Sequence, residues 1–223
     1  MSQYETLMAR DGHSFGAYIA KPAGTARGGV VIVQEIFGVT AHVRAVADSY
    51  AREGYLAVAP ALFDRVRRDI VLGYGPEDVQ QGMGYRKQVA DSAAVLDILA
   101  AAAMVGHAGK VGVIGFCWGG RLAWLAACQA PLNAAVCYYG GGIGGLLDKT
   151  PTCPTMLHFG AEDPSIPMAE VDRIRAAWPQ GPICVYPGAG HAFSNSDRPN
   201  NYNEAAAQLA RSRTLEFLAQ HLG

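Results

Sequence analysis

Gly115-Phe116-Cys117-Trp118-Gly119-Gly120 constrains the fold of this chain more than any other segment. It follows the apolar run Val111-Gly112-Val113-Ile114 and precedes a helix-like run from Arg121 to Gln129. A strand, then glycine-x-nucleophile-x-glycine, then a helix is the pattern of a nucleophile elbow, here with cysteine where serine is usual. The physics sets the spacing. A nucleophile on a strained turn projects its side chain above the sheet. Gly115 and Gly119 remove side chains where strand and helix approach most closely. The backbone N–H of Trp118, at the helix start, can donate to a developing oxyanion. The same residues also fit a plain Gly-rich βα turn with a buried cysteine.

Around the elbow, apolar runs alternate with helical patterns. Strands are expected at 28–35, 55–60, 110–116, 134–139, 155–159 and 182–186, and helices at 41–53, 86–104, 167–178 and 203–222. Such βαβα order implies an α/β fold with a mostly parallel sheet and helices on both faces, in a single domain over 1–223. A chain of 223 residues can bury one full α/β core. Residues 61–85 read as a long loop containing Gly73, Gly75, Gly82 and Gly84. Its arginines, Arg65, Arg67 and Arg68, read as solvated surface rather than as a substrate clamp.

Charge and cysteine usage narrow the classes of function. A formal net charge of -1 gives no electrostatic footprint for nucleic acid or an anionic membrane. The apolar stretches read as too short, or too interrupted by glycine, to span a bilayer. The N-terminus shows no apolar signal-peptide core. The five cysteines are dispersed, without a C-x-x-C pair, which points to reduced thiols and a cytoplasmic location. No His/Cys/Asp cluster has ligand spacing, so neither a metal nor an organic cofactor is expected. The chain is expected to act as a monomer.

A thiol nucleophile needs a base, and the base needs an orienting group. In sheets with such an elbow the chain order is nucleophile, acid, histidine. Asp163, in Phe159-Gly160-Ala161-Glu162-Asp163-Pro164, follows a strand end, where ligand-facing loops lie. It also fits an Asp-Pro turn. Glu162 is the rival acid and is expected to face solvent. His191, in Gly188-Ala189-Gly190-His191-Ala192-Phe193, lies between the last strand and the last helix, in a loop able to bend toward the elbow. His158 sits in an apolar strand and reads as core; His42 opens a helix, and His13, His107 and His221 lack a suitable loop. Glu35 closes the apolar run from Val30, where a carboxylate is costly unless paired or functional. A capping or salt-bridged role fits it equally.

Taken together, the sequence resembles the dienelactone hydrolase family of α/β-hydrolases. The matching pieces are Gln34-Glu35-Ile36-Phe37-Gly38, Gly54-Tyr55 through Pro60, Gly115 through Gly120, Tyr138-Tyr139-Gly140, Gly160 to Asp163 and Gly190-His191-Ala192-Phe193. They run in order over nearly the whole chain. The resemblance implies an α/β-hydrolase fold and a Cys117–Asp163–His191 triad. It implies that Glu35 helps generate the thiolate when substrate binds, and that the backbone N–H groups of Ile36 and Trp118 hold the oxyanion. Tyr139 and Phe193 are expected to contact substrate. Two departures stand out. Family members acting on chlorocatechol-derived dienelactones carry an arginine a few residues after the histidine; here Ser194 and Asn195 follow Phe193, and the nearest arginine is Arg198. No residue within 78–86 stands out as the second carboxylate-binding arginine.

The expected activity is cysteine-dependent hydrolysis of a small-molecule carboxylic ester or lactone. Because a thiolate is itself a good leaving group, enol-lactones and aryl esters are expected to be preferred. Two other readings of the same residues are a non-catalytic small-molecule binder and a redox-sensing thiol protein on this fold.

Overall fold

β-branched runs at Val30–Val33 and Val111–Ile114 form the centre of one sheet, and the chain order follows from the apolar runs on either side. The computed structural model describes residues 2–223. The strands are β1 (Ser2–Met8), β2 (Ser14–Ala20), β3 (Gly29–Val33), β4 (Leu56–Pro60), β5 (Val111–Phe116), β6 (Ala134–Tyr138), β7 (Thr155–Gly160) and β8 (Ile183–Tyr186). The helices are α1 (Ala41–Arg52), α2 (Pro76–Gln88), α3 (Asp91–Val105), α4 (Trp118–Gln129), α5 (Met168–Ala177) and α6 (Glu204–Leu222). The spatial order is β1-β2-β4-β3-β5-β6-β7-β8. β2 pairs antiparallel with both β1 and β4, and the pairs from β4 to β8 are parallel. Strands β3, β4, β6 and β7 are buried along their whole length, as parallel strands covered on both faces must be.

Register sets the functional edge. Val33 lies opposite Gly115, Phe116 opposite Tyr138, and Gly160 opposite Tyr186. The chain therefore leaves β3, β5, β7 and β8 along one carboxyl edge, where ligands of open α/β sheets bind.

The structure corrects three sequence expectations. The N-terminal hairpin of β1 and β2 was not expected; the exposure of β1 weakens its pattern. The long helix expected at 86–104 is two helices. Val89 and Ala90 are extended, and α3 starts at Asp91. Most of the supposed loop at 61–85 is therefore α2. Pro76 stands in its first turn, and Asp78 accepts the Gly75 N–H at 3.0 Å. Its glycines had masked that start. The third correction concerns Arg65. It holds both oxygens of fully buried Asp97 at 2.8 Å and reaches Asp11 at 2.9 Å, so it pins the fold rather than facing solvent.

By length and composition the stretch Asp91–Ala108 could cross a membrane, contrary to the reading of the apolar runs. Here it packs as a core helix, with Ala94, Val95, Ile98, Ala101 and Val105 buried.

Candidate active site

Cys117 stands between β5 and α4 with φ 54° and ψ −116°, a conformation that non-glycine residues rarely adopt. Its N–H donates to the Tyr138 carbonyl at 3.0 Å, and its carbonyl accepts from Gly120 N–H at 2.9 Å. The turn is possible only because its flanks lack side chains. A Cβ at residue 115 would collide with the Gly119 carbonyl, and one at residue 119 with the Val33 and Gln34 carbonyls. The strained turn raises the thiol to the carboxyl edge, half-buried.

The loops after β7 and β8 bring the other two groups. Asp163 is buried; its Oδ1 accepts the Ser165 N–H at 2.8 Å, and its Oδ2 lies 2.7 Å from His191 Nδ1. The other ring nitrogen is left free of Asp163, and the imidazole lines the same cavity as the Cys117 thiol. Burial alone would lower the His191 pKa. Hydrogen bonds and charge from Asp163 and Cys117 outweigh it and push the pKa up to about 10. Asn201 Nδ2 donates to the His191 carbonyl at 3.1 Å and steadies this loop. Glu162 is exposed, and His158 is buried in β7, away from the edge cavity.

Cys117, Trp118, His191, Ile36 and Phe37 line one cavity of about 550 Å³. Trp118 is the first residue of α4, so its N–H has no acceptor within the helix. Ile36 sits in the turn after β3, beside the elbow. Ile36 and Trp118 thus flank the wall of the cavity that carries the sulfur.

Glu35 is buried but does not line this cavity. Its Oε2 accepts from Asn195 Nδ2 at 2.7 Å, while Oε1 has no protein partner. Asn195 Oδ1 accepts the Asp197 N–H at 3.0 Å, which fixes the amide with its NH2 toward Glu35. Burial pushes the Glu35 pKa up, against the hydrogen bond from Asn195 and the charge of Arg198.

Tyr139 and Phe193 do not contact the cavity, contrary to the sequence expectation; both are completely buried. The Tyr139 hydroxyl pairs with Ser194 Oγ at 2.9 Å, and its ring lies 5.1 Å from the His191 ring. Phe193 packs edge-on against Tyr139 at 5.5 Å. Neither the place of Tyr139 just past the end of β6 nor that of Phe193 two residues after His191 revealed that these side chains turn inward and back the imidazole.

The sequence reading missed the outer wall. Val79, Met83 and Arg86 line the cavity from α2, at i, i+4 and i+7, a helical spacing that the glycines obscured. Arg198 also lines it, over the rings of Phe37 and Tyr74 at 5.4 and 5.8 Å. Neither Arg86 nor Arg198 has an ion-pair partner among the described residues. Among the described residues no group of three His, Cys, Asp or Glu could hold a metal ion.

The profile of the dienelactone hydrolase family matches residues 15–222. The chain belongs to the dienelactone hydrolase family. It is 36% identical to the carboxymethylenebutenolidase of Pseudomonas putida over 96% of this chain and 94% of that one. A solved Klebsiella pneumoniae structure, whose dienelactone hydrolase name is provisional, superposes with TM-score 0.83 at 30% identity, covering 99% of each chain. The fold is shared more widely. A Pyrococcus furiosus esterase at 15% identity gives TM-score 0.73 over 100% of this chain and 93% of its own. As a dienelactone hydrolase family member the chain is an α/β-hydrolase enzyme.

Proposed function

We propose that this family member hydrolyses a carboxylate-bearing ester or lactone through Cys117, His191 and Asp163. The observation that carries the reading is the 2.7 Å contact of Asp163 Oδ2 with His191 Nδ1, with His191 and the strained Cys117 on the wall of one cavity. The thiolate attacks the carbonyl carbon, and the oxygen takes the charge facing the Trp118 and Ile36 N–H groups. His191, holding the thiol proton, passes it to the departing oxygen as the C–O bond breaks. It then takes a proton from water, whose oxygen attacks the thioester and releases acid and free thiol. Asp163 keeps Nδ1 engaged, so the other nitrogen faces the sulfur throughout.

Leaving-group chemistry favours enol-lactones and aryl esters. A tetrahedral adduct on sulfur returns to substrate unless the oxygen leaves as readily. Enolates and phenolates, with parent pKa about 10, meet this condition. Alkoxides, with a parent pKa of roughly 16 like that of water, do not. General acid help is typically worth only ~10²–10⁴-fold. Arg86 and Arg198 supply charge for a substrate carboxylate at the cavity wall. The relative from Pseudomonas putida bears a name that describes a carboxylate-bearing enol-lactone, which agrees with this chemistry. Five free cysteines accord with a reducing compartment, and a cytoplasmic location is part of the proposal.

The test is kcat/KM for matched aryl and alkyl esters in wild type and Cys117→Ser. The aryl preference should be large in wild type and narrower in the serine variant, whose alkoxide returns less readily. Equal ratios in the two proteins would contradict the sulfur argument.

A further inference from the structure

One carboxylate outside the proposed triad holds the residue that follows the nucleophile. Trp118 Nε1–H donates to Asp91 Oδ1 at 3.0 Å. The second oxygen, Oδ2, accepts from Arg121 Nε–H at 2.8 Å. Arg121 Nη1–H in turn donates to the Gly142 carbonyl at 2.6 Å, an approach that a side chain at residue 142 would obstruct. The indole also stacks on Phe63, with ring centroids 5.6 Å apart and planes 19° apart. Trp118 is thus fixed on its face by Phe63 and at its edge by Asp91. Trp118 and Arg121 are three residues apart in the first turn of α4, so one acceptor group can hold both.

The location separates this from an ordinary tie between helices. Apolar packing already fixes α3, through Ala94, Val95 and Ile98. The Asp91 contacts land instead on two residues that line the cavity, one of them bearing the backbone N–H proposed to meet the oxyanion. That N–H lies beside a strained residue, Cys117, whose peptide geometry depends on its surroundings.

We infer that Asp91 is a positioning residue for acyl transfer: by gripping the Trp118 indole and the Arg121 guanidinium, it aims the Trp118 backbone N–H at the developing oxyanion. The inference rests on the proposed Cys117 hydrolase reading. Asp91 touches no reacting atom. Its effect passes through Trp118.

Two reactions of the same sulfur test it. Acyl transfer from p-nitrophenyl acetate passes through an oxyanion. Alkylation by iodoacetamide forms an S–C bond at a saturated carbon and expels iodide, with no oxyanion. Both rates are measured on the full chain, with alkylation at Cys117 followed by peptide mass. In Asp91→Ala, acyl transfer should fall about 10- to 100-fold while alkylation stays within about twofold of wild type. Asp91→Asn keeps one carbonyl oxygen for the indole and should recover part of the loss. Should Asp91→Ala fail to fold, Trp118→Phe carries the same test. It keeps the backbone N–H and the stack on Phe63 but removes the Nε1–H donor, and should show the same selective loss. Where both variants fold, combining them should add little to the larger single effect. Equal loss of both reactions, or no loss of acyl transfer, would overturn the inference. A wild-type protein without acyl transfer would instead overturn the hydrolase reading, so the two failures are distinct.

Discussion

Replacing His158 with glutamine should make the protein less sensitive to mild acid. The imidazole is fully buried in β7, with Nδ1 2.8 Å from the Tyr186 hydroxyl and Nε2 3.1 Å from Thr214 Oγ1. Thr214 Oγ1 is in turn 2.6 Å from the Tyr138 hydroxyl. Burial, assisted by the charge of Arg213, lowers the His158 pKa from 6.5 to about 3. The unfolded chain takes up this proton as pH drops through 6.5, whereas the folded chain does so only near 3. Between those values unfolding binds a proton, so stability falls as pH falls. At 1.36 kcal/mol per unit, the roughly 1.5 units from pH 6.5 to pH 5 correspond to about 2 kcal/mol. Urea unfolding of wild type and His158→Gln at pH 7 and pH 5 isolates this share, because other titrating groups are common to both proteins. The variant should start less stable at pH 7, from imperfect hydrogen bonds, and lose about 2 kcal/mol less on acidification. Equal losses would refute the assignment of His158 as a neutral core residue and revive it as a titrating group.

Cys117→Ala and His191→Ala should each reduce esterase activity by several orders of magnitude while the thermal transition is kept, and the double variant should be little worse than either. Steady-state kinetics beside thermal denaturation check this. Glu35→Gln keeps the shape of the buried side chain but removes its proton chemistry; if Glu35 assists thiolate formation, the pH profile of Cys117 alkylation in the presence of a substrate analogue should differ from wild type. Identical profiles would leave Glu35 a structural partner of Asn195. Arg86→Ala or Arg198→Ala should lower kcat/KM about 10- to 100-fold for a carboxylate-bearing aryl ester, chiefly through KM, and leave its neutral methyl ester nearly unchanged.

The elbow and the parallel strands were legible because local rules govern them. A strained turn between a strand and a helix demands glycines at Gly115 and Gly119, and strands covered on both faces read as unbroken apolar runs such as Val30–Val33. The Asp163 and His191 loops were legible from chain order and from their place after strands. Other features depend on tertiary context. Gly82 and Gly84 concealed α2, although a Cβ at residue 82 would collide with the Ile36 carbonyl, so glycine there permits close packing on the site. Arg198 reaches the cavity only through the fold of the loop after His191. Asp91 could not be connected to Trp118 from sequence, because 27 positions separate them. Tyr139, just past the end of β6, and Phe193, two residues after His191, show the converse: they stand at the carboxyl edge in sequence but face the core.

The most direct measurement is acid-quench mass spectrometry of the enzyme mixed with a slowly deacylating aryl ester. The account predicts an acyl adduct that forms within a single turnover, maps to the peptide carrying Cys117 and decays as product accumulates. An adduct confined to Cys128 or Cys184, or full turnover by Cys117→Ala, would contradict the claim that this sulfur carries the reaction.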